Sequence, residues 1–209
     1  MARPSDALVL DLDTRAGLCL TRSLGRAGHR VAVAARDPAA PGLRTRHATA
    51  RFVLPEPDGD FEAYVAAVLD RLERSGAGVV LTSIDADLAV LHGRRDAVSR
   101  FAVPAVGSPA AVDVAIDKAR TIAVAATLGI PAPRSLPARD ADEVETAAAE
   151  LGGVVVVKPV RSWRAVGAGS ERVEPRFAGS VAEARGIGER LVRPDAPALV
   201  QEVATGGRE

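Results

Sequence analysis

The first hundred residues alternate short aliphatic runs with helix-length segments. That rhythm constrains the fold more than any other feature of the sequence. Leu8-Val9-Leu10, Val31-Ala32-Val33-Ala34, Phe52-Val53-Leu54, Val79-Val80-Leu81 and residues 103–106 each read as a short buried strand. Residues 16–27, 61–74 and 85–100 have helical character. The clearest helix is 61–74, where Phe61, Val65, Val68, Leu69 and Leu72 recur at one helical face. Strand followed by helix at this rhythm predicts a parallel sheet with helices on both faces. Continuous rather than alternating aliphatic runs fit strands buried on both sides. The first half is therefore expected to be a Rossmann-like, doubly wound α/β domain over residues 1–107.

The pattern changes after residue 107. Ser108-Pro109 starts a short helix, and Asp117-Lys118 opens one that runs to about residue 128. Gly129-Ile130-Pro131-Ala132-Pro133 stops it, since two prolines enforce extended backbone. A helix over 141–151 precedes Val154-Val155-Val156-Val157-Lys158-Pro159, a strand of strong β propensity. A loop with Gly167 and Gly169 follows, then a strand near 172–177, a helix over 181–191 and a last strand over 199–203. Residues 108–209 thus read as a second, α+β domain.

Composition excludes several functions. Lys plus Arg is 27 and Asp plus Glu is 27, so the net charge is zero and no basic excess points to nucleic acid. A lone cysteine, Cys19, builds no disulfide framework, and no Cys/His spacing suits zinc. No leader-like or membrane-length apolar run is visible, so a cytoplasmic setting without membrane contact is expected. The arginine-rich loop 36–51 reads as a solvated face.

Two loops are candidate sites. The turn after the first strand reads Asp11-Leu12-Asp13-Thr14-Arg15-Ala16-Gly17. It lacks the G-x-G-x-x-G glycines that let backbone approach a pyrophosphate, and its two aspartates repel phosphate, which disfavours NAD(P). The second candidate is Lys158, which leaves a valine strand and needs either water or an anion. The Gly/Ser loop after it offers backbone N–H groups for phosphate oxygens. It is not a Walker A loop, because no G-K-[ST] tripeptide is present.

Taken in order, Asp117-Lys118, Gly129 to Pro133, Val156-Val157-Lys158-Pro159 with its Gly/Ser loop, and Val200-Gln201-Glu202 resemble the ATP-grasp family. The resemblance implies a preATP-grasp domain followed by the front part of an ATP-grasp module. It implies ATP with Mg2+, small-molecule carboxylate and amine substrates, and an ATP-dependent carboxylate–amine (or carboxylate–thiol) ligase working through an acyl phosphate. Lys118 and Lys158 resemble the two lysines that reach the nucleotide, Lys158 at the α-phosphate and adenine edge. The loop from Ser162 through Gly167 and Gly169 to Ser170 looks like the lid over the β- and γ-phosphates. Glu202 matches the acidic residue near the adenine amine, the backbone of Val203 and Ala204 the adenine contacts, and Glu209 the ribose-binding carboxylate. The family's magnesium ligands and catalytic residues are expected beyond Glu209, so the chain is expected to hold only part of the module. Trp163 and Arg164 depart from the small residues common in that loop, and Arg164 is itself a candidate phosphate partner.

Two other readings stay open: a Rossmann enzyme for NAD(P) or nucleotide sugars, and a non-catalytic nucleotide-binding module. Oligomeric state is left open. His29, His47 and His92 read as structural or surface residues, Cys19 as a small core residue, and Asp85 and Asp87 as caps of the following helix.

Overall fold

The computed structural model describes residues 4–204. The chain divides into two compact units. The first holds the chain up to Pro109 together with Ala165–Glu171; the second holds Ala110–Arg164 and the chain from Arg172 on.

The first unit is built on strands β1 (Ala7–Val9), β2 (Val31–Ala35), β3 (Ala48–Val53), β4 (Val79–Leu81) and β5 (Val103–Pro104). They form one parallel sheet in the order β3-β2-β1-β4-β5. β1 and β2 are buried along their whole length. Alternation sends Leu8, Leu10, Ala32, Ala34 and Val80 to one core and Val9, Val31, Val33 and Ala35 to the other. Helix α1 (Arg15–Arg26) covers the second core through Leu18, Leu20 and Leu24. Helix α2 (Phe61–Ser75) covers the first through Tyr64, Val65, Val68 and Leu72, with α3 (Asp85–Gly93) and α4 (Arg95–Ser99) beside it. The single helix expected over 85–100 is therefore two, broken at Arg94. Gly17 is where α1 meets the end of β1. A Cβ there would lie 2.2 Å from the Asp11 carbonyl oxygen, so only glycine allows the approach.

The second unit begins with α5 (Pro109–Ala115) and α6 (Lys118–Thr127), the latter capped by the Asp117 side chain. Strands β6 (Ser135–Ala138), β7 (Val155–Pro159), β10 (Arg176–Ala178) and β11 (Ala198–Glu202) form an antiparallel sheet in the order β10-β7-β11-β6. Helices α7 (Ala141–Glu150) and α8 (Val181–Leu191) pack on one face. That core joins Ala138, Val155, Val157, Ala178, Ala198 and Val200 to Val144, Ala147, Ala148, Ala184, Ile187 and Leu191. Ser135, Val156, Lys158, Phe177, Leu199 and Gln201 alternate with these residues and lie on the face opposite α7 and α8.

The glycine loop is a hairpin, β8 (Trp163–Val166) and β9 (Gly169–Arg172), rather than an irregular segment. Gly167 makes its turn at φ 58°, a left-handed conformation that glycine adopts without strain. Cys19 is exposed on α1, not in the core as its neighbours suggested.

Candidate active site

Lys158 sits near the end of β7, on the sheet face opposite α7 and α8. Its Nζ donates to the Gln201 Oε1 of β11. Gln201 opposes Val156 in the ladder, so the lysine reaches it along a same-face diagonal. The Gln201 Nε2 donates to Ser135 Oγ at 2.8 Å, and Ser135 Oγ donates to the Pro133 carbonyl at 2.9 Å. Gln201 is buried.

Lys118 begins α6, one residue after the Asp117 cap. Its backbone N–H donates to the Val160 carbonyl at 3.0 Å, which ties α6 to the segment leaving β7. Its Nζ donates to Ser162 Oγ at 2.8 Å. The lysine and the loop serine named from the sequence therefore meet at the base of the hairpin.

Glu202 ends β11. Its Oε1 accepts the Arg134 backbone N–H at 2.8 Å, and its own N–H donates to the Arg134 carbonyl at 3.0 Å. Val203 and Ala204 follow outside the ladder and are exposed. Strand alternation turns Glu202 away from Gln201. Glu209 lies outside the described residues.

The hairpin tip groups with the first unit. Gly169 approaches Asp58 so closely that a Cβ would lie 2.0 Å from its carbonyl oxygen, and Ser170 Oγ donates to the Pro57 carbonyl at 3.1 Å. The N–H of Phe61 donates to the Ala168 carbonyl at 2.9 Å. Gly169 and Ser170 are thus engaged with residues 57–61, whereas Ser162 pairs with Lys118.

The turn after β1 is not a phosphate cradle. The Gly17 N–H donates to Thr14 Oγ1 at 2.9 Å, so the first turn of α1 is capped from within. Asp13 pairs with Arg36 at 2.6 Å, and Asp11 accepts from the backbone N–H and the hydroxyl of Ser83. Asp87 does not cap α3. It is fully buried and accepts from the Tyr64 hydroxyl and, at 3.2 Å, from Thr82 Oγ1, while Arg36 Nη1 stands 3.8 Å away. Burial pushes its carboxyl up to about 7, against the pull of Tyr64 and Arg36. Burial raises the Tyr64 hydroxyl as well, helped by the Asp87 charge. Burial works against the Arg36 charge, but Asp87 and Asp13 outweigh it and raise Arg36.

The sequence reading gave no role to Gln201, Ser135 or Arg134. The signal available was a polar side chain inside the hydrophobic run Leu199-Val200-Gln201, at a position where the strand is paired on both sides.

No family model matches the chain. It is 31% identical over 123 residues to a D-alanine--D-alanine ligase of Pseudomonas entomophila, covering 49% of this chain and 39% of that protein. The chain thus spans well under half the length of that relative. A RimK domain ATP-grasp protein from Sphaerobacter thermophilus superposes with a TM-score of 0.59 at 17% identity, over 97% of this chain and 65% of its own. This is the ATP-grasp fold. A second ATP-grasp neighbour is the biotin carboxylase domain of the Hydrogenobacter thermophilus 2-oxoglutarate carboxylase, solved with MgADP, ADP and bicarbonate. It superposes with a TM-score of 0.65 at 14% identity, over 98% of this chain and 45% of its own.

Proposed function

We propose that the sheet face of the second unit opposite α7 and α8 binds ATP, and that the whole protein is an ATP-dependent ligase for a small carboxylate and an amine or other nucleophile. In this reaction a carboxylate oxygen attacks the γ-phosphorus and ADP leaves. The nucleophile then attacks the acyl carbon, loses its proton, and phosphate departs.

One observation carries this reading. Lys158 stands on the sheet face opposite α7 and α8, held in direction by Gln201, in a fold whose solved relatives include an ADP complex. An ammonium there matches a phosphate oxygen as a compact point charge. Lys118, braced by Ser162, supplies the second cation. One Glu202 oxygen is taken by Arg134, which leaves the other to accept from an adenine amine, beside the exposed backbone of Val203 and Ala204. Gly167, Gly169 and Ser170 carry the lid role by resemblance alone. Bound magnesium would neutralise charge on the phosphates. Among the described residues no group of three or more His, Cys, Asp or Glu side chains could hold a metal, so these residues supply no magnesium cage of their own.

Calorimetric titration with ADP tests the reading. The chain should bind ADP, and Lys158→Ala should weaken binding ~10-fold or more, the scale of one charge-assisted phosphate contact. Equal affinity in the variant would contradict the assignment.

A further inference from the structure

We infer that Gln201 is a positioning residue for Lys158, and that Ser135 and Pro133 hold Gln201 in the one orientation able to do it. The inference rests on the nucleotide reading for its purpose, though not for its geometry.

The donor and acceptor chemistry fixes the direction of the chain. An ammonium only donates, so the amide must present Oε1 to Lys158. Nε2 then points the other way and donates to Ser135 Oγ. A hydroxyl that accepts there is free to donate its own proton, and the Pro133 carbonyl, which can only accept, takes it. Every link is set by its neighbour, and a proline carbonyl ends the series. A flipped amide would bring N–H groups against the ammonium and set Oε1 against the Ser135 oxygen, whose proton is already given to the Pro133 carbonyl.

The three side chains come from β7, β11 and the start of β6, so the sheet itself holds the spacing. Gln201 is buried on the same face as Val156 and Leu199, where an unpaired amide would be costly. Lysine has four rotatable side-chain bonds and loses much freedom on binding. Fixing one of its three protons on Gln201 confines the ammonium before a ligand arrives and leaves two protons for phosphate oxygens. The Gly129–Pro133 segment acquires a role this way: its Pro133 carbonyl is where the series ends.

The test combines two substitutions in the full 209-residue chain. Gln201→Met keeps the volume and removes the acceptor. Ser135→Ala lets the amide turn. Two readouts separate the inference from the nucleotide reading. In the free protein, the Lys158 ε-ammonium resonance should be sharp and slowly exchanging, and should broaden in both variants. On titration with ADP, Gln201→Met should weaken binding ~10-fold, the scale of a hydrogen bond to a charged group. Ser135→Ala should weaken it several-fold alone and not at all in the Gln201→Met background. Additive effects, or an ammonium resonance unchanged in both variants, would overturn the inference. Unchanged ADP affinity in Lys158→Ala, with the resonance still responding to both variants, would sink the nucleotide reading and leave the positioning intact. Ser135 is only partly buried, so Ser135→Ala keeps the test available if Gln201→Met does not fold.

Discussion

Asp87 shows what a single buried carboxyl does to the first unit. Its folded value of about 7 lies above its ordinary 3.8, so the folded protein holds a proton that the unfolded chain releases. That proton stabilises the fold fully below the unfolded value, and the contribution is lost as pH rises through about 7. The effect is of order 2–4 kcal/mol. Urea midpoints should therefore fall between pH 4 and 7, and Asp87→Asn should flatten this trend and match or exceed the parent chain at pH 8. A variant that keeps the full slope would remove Asp87 as its source. None of this was legible in the sequence. Locally, Asp85 and Asp87 after Thr82-Ser83 look like a helix start. The partners that decide the matter, Tyr64 and Arg36, come from other elements. Lys158 stood out in the sequence because a lysine closing a valine strand is conspicuous. Gln201 was not, because its task depends on a neighbour 43 positions away.

At the scale of elements, burial on both faces made β1 and β2 readable, and helical spacing did the same for α2. β6 escaped because Ser-Leu-Pro-Ala carries few β-formers, and a proline is tolerated only at a sheet edge, where β6 lies. The β8–β9 hairpin escaped because its glycines signal a loop, and its residues alternate for no helix-backed core. Helix packing in the second unit gives a contrast within one helix. A Cβ at Gly188 of α8 would lie 3.1 Å from the Ala141 Cα and from two Val144 side-chain atoms, whereas at Gly186 the nearest atom is the Arg190 Nη1 at 3.9 Å. Gly188→Val should cost ~1–3 kcal/mol by overpacking α7 against α8. Gly186→Ala should stabilise by ~0.5–1 kcal/mol through helix propensity. Chemical denaturation of the two variants reads both signs, and a neutral Gly188→Val would disprove the tight crossing.

For the whole molecule, the fold was legible where its order is carried by the chain: a parallel-sheet unit first, then the ordered motifs that resemble the ATP-grasp family. The exchange of residues 165–171 into the first unit was not, since nothing in Ala-Val-Gly-Ala-Gly-Ser-Glu announces Pro57 and Asp58 as its partners. No helix among the described residues is long and apolar enough to cross a membrane. The two units carry different chemistry. The first places buried carboxylates and Arg36 at the carboxyl ends of β1, β2 and β4, where a dinucleotide enzyme would hold its cofactor. The second places Lys158 on the sheet face opposite α7 and α8, Lys118 at the start of α6, and Glu202 at the end of β11. Backbone chemical-shift mapping during titration with MgADP distinguishes them in one experiment. The account predicts shifts concentrated at Lys118, Lys158, Gln201, Glu202, Val203 and Ala204, with Asp11, Asp13 and Gly17 unmoved. Shifts centred on the turn after β1, with Lys158 and Glu202 silent, would contradict it.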